Sequence, residues 1–581
     1  MNQNTESLRA TIAGMDDEAL PVPEHRTHGA GHFLGLYAAE HVAATEFVAG
    51  ASFVAWGATV GDVLWGLLIG NTLAVISFWL LTAPIAVRTR LSLYTYLERN
   101  MGEKFSRIYN GANVLIFGVI SAAMITVSAT AVRRLFDIPP QVEAYPTSLG
   151  FVIVALAVGF IVVLVAYYGF NVLSEFASIC APWLMVFFTA GGMVLIPALN
   201  EALTGYTTLT SFADFANLAG ATVFTGLDTE GKPGIGIWEI IGFAWSANTV
   251  AHVGLIDMAL FRYARKSSYG LCSFTGMMFG HYVAWISAAL MGAATAYIMK
   301  TSIAVVEPGD VAWYGLGASG FVIVIVAGWT TANSNLYRAG LAGQAVFPKL
   351  SRAKVTLAIG FGVLLCSLFP FIYRGFLPLL TYAGLILVPV GGIVFAEQVL
   401  FPRLKMRSNW MRLKGLRDNR PALISWIASL VFGFGLNLLD VMPFVWLFVP
   451  SWILSIVLYT VLSKKEGADQ HYPEAEKREA EFDQAVKAYH AELAARESVV
   501  HTADRSPLTR IVRAIWIISL IVPAVLAWRV LFSSPDLYDY YVNREMFYDI
   551  SIWCTFAYFI FAWWELKRTK AFRQAQQTAG A

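Results

Sequence analysis

The side chains best suited to binding an ion or a solute lie in the stretch 329–337. It contains Thr330, Thr331, Asn333 and Asn335, and it directly follows an apolar run long enough to continue as a membrane-spanning helix. Polar groups at membrane depth are costly and usually mark a pathway or a binding site. Two adjacent hydroxyls followed by spaced carboxamides could hold a small hard cation beside a polar solute. The alternative is that both hydroxyls bond to carbonyls of the preceding helical turn.

Two apolar segments, the first and the sixth, are interrupted by polar residues in a similar way. The clusters are Glu40, His41, Thr45 and Glu46 in the first segment, and Asn248, Thr249 and His252 in the sixth. Two broken helices five segments apart are typical of transporters built as a five-plus-five inverted repeat, in which the breaks bind substrate and coupling ion. His252 could instead only bond freed backbone carbonyls, and His41 could face a headgroup or another helix. Glu40 or Glu46 could pair with Arg262 or a histidine, or carry a proton.

The composition is that of a membrane protein. The chain has 581 residues, of which 57% are hydrophobic and 14% are charged, whereas soluble proteins carry roughly a quarter charged residues. A spanning helix needs about 20 mostly apolar residues. About fourteen such segments are predicted, near 34–57, 60–87, 108–135, 148–167, 172–198, 235–261, 270–298, 313–342, 354–373, 376–402, 421–441, 445–463, 508–532 and 546–566.

Basic residues alternate between loops and predict the orientation. Loops that hold several lysines and arginines fall on the side of the N-terminus, so both termini are expected in the cytoplasm of a multi-pass protein of the plasma or inner membrane. The predicted units are a cytoplasmic tail at 1–33, a twelve-helix core at 34–463, a charged cytoplasmic helical linker at 464–507, an additional helix pair at 508–566 and a cytoplasmic tail at 567–581.

Four motifs, taken in order, resemble the nucleobase–cation symporters, the family of cytosine and purine permeases and of allantoin and hydantoin carriers. They are Ile69-Gly70-Asn71, the run from Phe261 to Arg265, the run from Trp329 to Leu341, and the run from Pro389 to Glu397. The resemblance covers about 35–402. It implies an all-α polytopic membrane protein with a LeuT-type core of five plus five inverted-repeat helices and two scaffold helices. Two extra transmembrane helices would then follow at the C-terminus.

The resemblance also implies binding residues. The implied sodium site consists of carbonyl oxygens of Glu40, Ala43 and Ala327 with the hydroxyls of Thr330 and Thr331. The predicted solute contacts are Ala44, Glu46, Phe47, Phe117, Asn248, Thr249, His252, Asn333 and Asn335. Aromatic side chains that stack on a flat heterocycle in the family are replaced here by Ile116 and Val250. The solute could therefore be smaller, charged or non-planar.

The resemblance implies a secondary active transporter that moves a small polar solute together with a cation by alternating access. Sodium is favoured over a proton, and a nucleobase or related nitrogen compound is the expected solute. The alternative is a transporter-like sensor that binds a solute and signals through the C-terminal extension. An enzyme is not expected, because no nucleophile or metal cluster accompanies the Glu and His residues. The expected partners are the solute and the lipid bilayer, without nucleic acid; the oligomeric state stays open.

Overall fold

Long apolar helices dominate the computed structural model, which describes residues 8, 11–15, 17–168, 170–496, 504 and 506–580. Within these ranges ten helices are long and apolar enough to cross a membrane. They are Val60–Thr89, Glu103–Arg134, Leu149–Tyr167, Ser178–Thr204, Ser267–Met299, Phe376–Arg403, Arg420–Leu438, Phe444–Lys465, Pro507–Phe532 and Leu537–Phe572. The chain is therefore a multi-pass integral membrane protein.

The other four predicted spans are interrupted, short or too polar to count as single apolar helices. The first and sixth segments are broken, as their polar clusters predicted. The eighth follows a separate short helix that ends before Gly317, and the ninth is 15 residues long. Their helices are Ala30–His41 and Glu46–Ala55; Ile237–Ser246, Thr249–His252 and Met258–Phe261; Pro308–Leu316 and Ala318–Val346; and Arg352–Cys366.

The helices that surround the centre of the molecule or attach to it are numbered in chain order. They are α1 (Ala30–His41), α2 (Glu46–Ala55), α3 (Val60–Ser77), α4 (Glu103–Arg134), α5 (Phe170–Thr204), α6 (Ile237–Ser246), α7 (Thr249–His252), α8 (Met258–Phe261), α9 (Trp285–Met299), α10 (Ala318–Val346), α11 (Phe376–Phe395), α12 (Pro473–Arg496), α13 (Pro507–Phe532) and α14 (Leu537–Gly580).

The two halves of the core exchange contacts in matching ways. The first broken segment packs on the seventh: α1 lies against the π-helical stretch Gly276–Ala284, and α2 lies against α9. The sixth segment packs on the second, since α6 lies against α3 and α8 against Ala83–Thr89. This reciprocal pairing is the arrangement expected of an inverted repeat. The extensive contact between α4 and α10 then joins the third segment to the eighth.

Glycines let neighbouring backbones approach closely at both breaks. A Cβ added at Gly280 would lie 2.1 Å from the carbonyl oxygen of His41, at the end of α1. One added at Gly391 in α11 would lie 1.9 Å from the carbonyl oxygen of Val253, between α7 and α8. Each broken helix is therefore held by a partner helix at a distance that only glycine permits.

The C-terminal extension packs on the core at two places. Ala485 and Val486 of the linker helix α12 form a small buried cluster with Ile12 and Leu20 of the N-terminal segment. The helix pair α13 and α14 packs on α5, where Trp183 Nε1 donates to Thr555 Oγ1 at 3.1 Å and Tyr558 donates to the Ile179 carbonyl at 2.6 Å.

Replacing Gly391 by alanine should destabilise the protein by about 1–3 kcal/mol, because the new methyl group meets the Val253 carbonyl and not a flexible side chain. Thermal unfolding of the purified protein in detergent measures the effect. Gly362→Ala is the matched control, since nothing lies within 4 Å of its added Cβ. It should be neutral or stabilising by up to about 1 kcal/mol. Equal midpoints for the two variants would contradict the close approach at Val253.

Candidate functional site

The break in the first segment is held open by a carboxylate. Helix α1 ends at His41, and α2 begins at Glu46. The Ala43 amide donates to Glu46 Oε1 at 3.4 Å, and the indole N–H of Trp285 donates to Glu46 Oε2. Glu46 thus accepts at the N-terminus of α2, where free amides and the helix dipole favour a negative charge. The Ala43 carbonyl accepts from the Glu46 amide at 3.2 Å, and a second lone pair remains on this oxygen for a ligand.

The break in the sixth segment has a different structure. Leu255 adopts a left-handed backbone conformation with φ of 65°, which is unusual for a bulky residue and tends to occur at functional sites. The Ile256 amide still reaches the Val250 carbonyl at 3.1 Å, so the chain loops without becoming fully extended. At the start of the loop Asn248 Nδ2 lies 3.1 Å from His281 Nε2.

A cavity of about 90 Å³ lies between the two breaks, and this volume is several times what one water molecule requires. Seven of the predicted binding residues line it: Glu40, Ala43, Glu46, Phe117, Asn248, Thr331 and Asn335. Its other polar or aromatic lining includes His41, Phe243, His281, Trp285, Arg338 and Phe376, and its apolar lining includes Ile120, Met124, Val250, Ile256, Leu377 and Leu380. The structure therefore brings α1, α2, α4, α10 and α11 together around one space.

Five of the predicted solute contacts lie outside the lining of this cavity. Ala44 is fully buried, and Phe47 stacks on Phe188 with ring centroids 4.7 Å apart. Thr249 donates to the Ser246 carbonyl at 2.9 Å. His252 Nε2 lies 3.2 Å from the Trp245 carbonyl, and Asn333 donates to the Trp329 carbonyl at 2.9 Å. His252 and Asn333 thus bond to backbone, as the alternative interpretation of His252 anticipated. Their contact with a solute stays a prediction.

Two pairs of the oxygens predicted to bind the cation are in contact, one across α1 and α10 and one within α10, the latter as the alternative interpretation of the hydroxyls expected. Thr331 donates to the Glu40 carbonyl at 3.2 Å, across the two helices. Thr330 donates to the Ala327 carbonyl at 3.1 Å, within α10. Ala43 lies at the break beside them. Neutral carbonyl and hydroxyl oxygens are the ligand type that a hard cation takes, so these residues fit sodium chemically.

An ion-pair network beside the cavity was not predicted from the sequence. Arg338 of α10 pairs with the Glu40 carboxylate and, at 2.7 Å, with Asp257. Tyr37 donates to the other oxygen of Asp257, also at 2.7 Å. The sequence did contain a sign of this network, since Asp257 and Arg338 are charged residues inside apolar segments. The network joins α1, the sixth-segment loop and α10 in one contact.

The expected pairing of Glu40 or Glu46 with Arg262 is wrong. Arg262 is buried and pairs with Glu18 of the N-terminal segment. Arg99 donates to the Ala19 carbonyl at 2.7 Å in the same region. The reason is that Arg262 follows α8 at the N-terminal side of the molecule, whereas both glutamates lie at the first break. The N-terminal segment therefore covers the end of the sixth segment.

His281 and Trp285 are two further site residues that the sequence did not single out. Their rings stack at 4.3 Å with an angle of 11°, and His281 also lies edge-on to His41 at 5.3 Å. Both belong to the seventh segment, which has no polar cluster to distinguish it. They reach the cavity because Gly276 and Gly280 bring this segment against α1.

Solved structures of membrane transporters share this architecture. Mhp1, a nucleobase-cation-symport-1 family transporter, in a closed conformation with bromovinylhydantoin bound, is 17% identical with a TM-score of 0.59, covering 81% of this chain and 99% of Mhp1. The inward-facing conformation of Mhp1 is 16% identical, also with a TM-score of 0.59, and the match covers 81% of this chain and 97% of Mhp1. A Na⁺-coupled sialic acid symporter in its substrate-bound outward-open state is 14% identical with a TM-score of 0.51. The match covers 79% of this chain and 93% of the symporter.

These similarities define the class of the fold. The chain is a membrane protein with the LeuT-type fold of five plus five helices, as predicted. Within that class the structure is similar to Mhp1, so the family resemblance read from the motifs is confirmed at the level of the fold. No protein-family model matches the chain, and the comparison with curated proteins finds no match.

Replacing Arg338 by glutamine should destabilise the protein by roughly 3–5 kcal/mol, because it leaves Glu40 and Asp257 buried without their countercharge. Thermal or denaturant unfolding in detergent measures the loss. The control is Lys104→Gln, which removes an exposed pair with Asp418 at 3.6 Å and should cost at most about 1 kcal/mol. Similar losses for both variants would show that the network contributes no more than a surface pair.

Proposed function

We propose that this protein is a secondary active transporter that couples a cation to the uptake of a small polar solute by alternating access. The observation that carries the proposal is the shared boundary between the predicted cation site and the cavity. Thr331 bonds the Glu40 carbonyl, and both residues line the cavity. A cation bound there would touch the same two helices that enclose the solute, so each ligand would favour binding of the other.

The coupling ion in this proposal is sodium. Its ligands would be the carbonyls of Glu40, Ala43 and Ala327 with the hydroxyls of Thr330 and Thr331. This oxygen set is assembled from two helices that must stay in contact for it to be complete. Sodium would supply a positive charge that draws α1 and α10 together. Separation of these helices would release it, which is the requirement for alternating access.

The proposed solute is a small nitrogen-containing compound of the size of a nucleobase or less. Mhp1 has been solved with bromovinylhydantoin, a heterocycle that contains nitrogen. In this chain Val250 lines the cavity, so the aromatic plane expected from the sixth segment is replaced by an aliphatic side chain. Asn248 and Asn335 supply amide groups that could pair with the polar edge of such a solute.

Movement of the network around Arg338 would accompany transport. It ties α1 to the sixth-segment loop and to α10, and Glu18 ties the N-terminal segment to Arg262 nearby. Opening of the cavity toward the N-terminal side would have to separate these pairs. Binding of cation and solute would then provide the free energy that stabilises one arrangement over the other.

A second candidate function is a transporter-like sensor. The observation that favours it is the packing of α12 on the N-terminal segment, which itself reaches Arg262. A change at the sixth segment could thereby reach the C-terminal extension. Flux separates the candidates: a transporter accumulates solute in proteoliposomes along a sodium gradient, whereas a sensor binds solute without net uptake.

Replacing Thr330 and Thr331 together by alanine should abolish sodium dependence, because two of the five oxygen ligands are removed. We expect loss of sodium-driven uptake and a reduction of at least about tenfold in sodium affinity measured by thermal stabilisation. Ser334→Ala is the matched control, since that hydroxyl only bonds the Thr330 carbonyl at 3.1 Å within α10. Uptake that follows a proton gradient in the absence of sodium would assign the coupling to a proton instead.

A further inference from the structure

Glu46 differs from the other acidic groups around the cavity in having no basic partner among the described residues. Glu40 and Asp257 both pair with Arg338. Glu46 is 5% exposed and lines the cavity, and its described partners are the indole N–H of Trp285 and the Ala43 amide. These neutral donors leave acceptor capacity unused, because a carboxylate has about four lone-pair sites.

The charges around the cavity do not balance within the described residues. Three carboxylates, those of Glu40, Glu46 and Asp257, face one guanidinium, that of Arg338. The site therefore has room for two positive charges when all three carboxylates are ionised. Sodium at the oxygen cluster would supply one of them. A second positive charge on a ligand, or a proton on one of the carboxylates, would balance the remaining charge, because buried unpaired charge is costly.

The histidines nearby have other contacts. His41 Nδ1 lies 3.0 Å from the Tyr37 carbonyl, and the rings of His41 and His281 meet edge to face with centroids 5.3 Å apart. His281 also stacks on Trp285, and its Nε2 is taken by Asn248. Its Nδ1 is buried without a partner although the residue lines the cavity and is 4% exposed. Because Asn248 Nδ2 donates to Nε2, the neutral ring carries its proton on Nδ1, which can only donate to an acceptor atom.

Aromatic side chains also line the cavity. Phe117, Phe243, Trp285 and Phe376 all contribute to its lining. Aromatic faces attract organic cations and tolerate methylated ammonium groups that cannot donate hydrogen bonds. The Trp285 indole is fixed beside Glu46 by its own hydrogen bond. A carboxylate and an indole in contact, with Phe243 packed against the indole at 5.4 Å between centroids, suit a cationic nitrogen better than an anionic group.

We propose that the solute is a small monovalent organic cation of the ammonium or guanidinium type, with Glu46 as its charge partner. This inference rests on the proposed function and defines its substrate class. The positive charge of Arg338 does not make the site selective for anions, because Arg338 already pairs with Glu40 and Asp257.

The test compares cations with neutral molecules of the same shape. The purified protein in detergent is titrated, at saturating sodium, with choline against 3,3-dimethylbutan-1-ol and with millimolar guanidinium against urea, and thermal stabilisation is recorded. We expect at least one cation to stabilise the protein while its neutral counterpart does not. Equal stabilisation by both members of each pair, or none by either cation, overturns the proposed substrate class.

Variants then assign the charge partner. Glu46→Gln should weaken binding of the stabilising cation by about tenfold or more, because a charge-assisted contact is lost. Glu46→Asp should retain selectivity for the cation over its neutral counterpart, with reduced affinity. Glu239→Gln is the control, since this half-buried glutamate of α6 caps the Gly236 amide at 3.2 Å and does not line the cavity. Unchanged cation binding in Glu46→Gln overturns the role of Glu46.

Thermal stabilisation by sodium, measured without solute, distinguishes a failure of the proposed substrate class from a failure of the proposed sodium-coupled function. A sodium shift that persists in Glu46→Gln shows that the variant is folded and that the cation site is intact. If sodium stabilises the protein but no organic cation does, the substrate class fails and the transporter proposal stands. If sodium does not stabilise the wild type, or stabilises the Thr330→Ala/Thr331→Ala variant equally, the sodium-coupled function itself fails.

Discussion

The site depends on one constraint: backbone groups freed by a helix break at membrane depth must be satisfied inside the protein. The two breaks satisfy them by different means. At the first, the Glu46 carboxylate accepts from the Ala43 amide and leaves the carbonyls of Glu40 and Ala43 beside α10. At the second, Val250 and Ala251 accept from amides six residues later, which closes a loop through the left-handed Leu255. The cavity lies between these two breaks.

The close contacts of the breaks with their partner helices follow from the same constraint. Gly280 and Gly391 carry no side chain where the carbonyls of His41 and Val253 approach them. A larger residue would push the partner helix away and open the break to lipid. The glycines thus allow non-helical backbone to remain enclosed by protein on the side away from the cavity.

Charge balance is the second organising element. Arg338 compensates Glu40 and Asp257, and in doing so it holds three separate chain segments together. Glu46 has only neutral hydrogen-bond donors among the described residues. Glu40 and Asp257, which pair with Arg338, hold chain segments together. Glu46, which has no basic partner among the described residues, remains available to a ligand. Both kinds of acidic residue look alike in the sequence.

The polar clusters in the first and sixth segments were enough to predict broken helices, and their spacing predicted the inverted repeat that the fold confirms. Polar clusters of this kind are informative because an apolar helix has few ways to accommodate glutamate, histidine and asparagine at membrane depth. The family resemblance, rather than the threonines themselves, implied that α10 would meet α1 there, and Thr331 does bond the Glu40 carbonyl. Signals confined to one segment could not show which of the predicted solute residues share a surface. Asn333 and Asn335 differ by two positions, yet only Asn335 lines the cavity.

By itself, the sequence determined that this is a multi-pass membrane protein whose first and sixth helices are interrupted beside a polar eighth helix. Composition and periodicity carry that information, because the membrane imposes the same requirement on every spanning segment. Only the tertiary structure decided that Arg338 pairs with Glu40 and Asp257, and that His281 and Trp285 reach the cavity. The physical reason is that pairing depends on which side chains the packed helices bring within hydrogen-bonding distance. Residues separated by more than two hundred positions, such as Glu46 and Trp285, meet only after the helices have assembled.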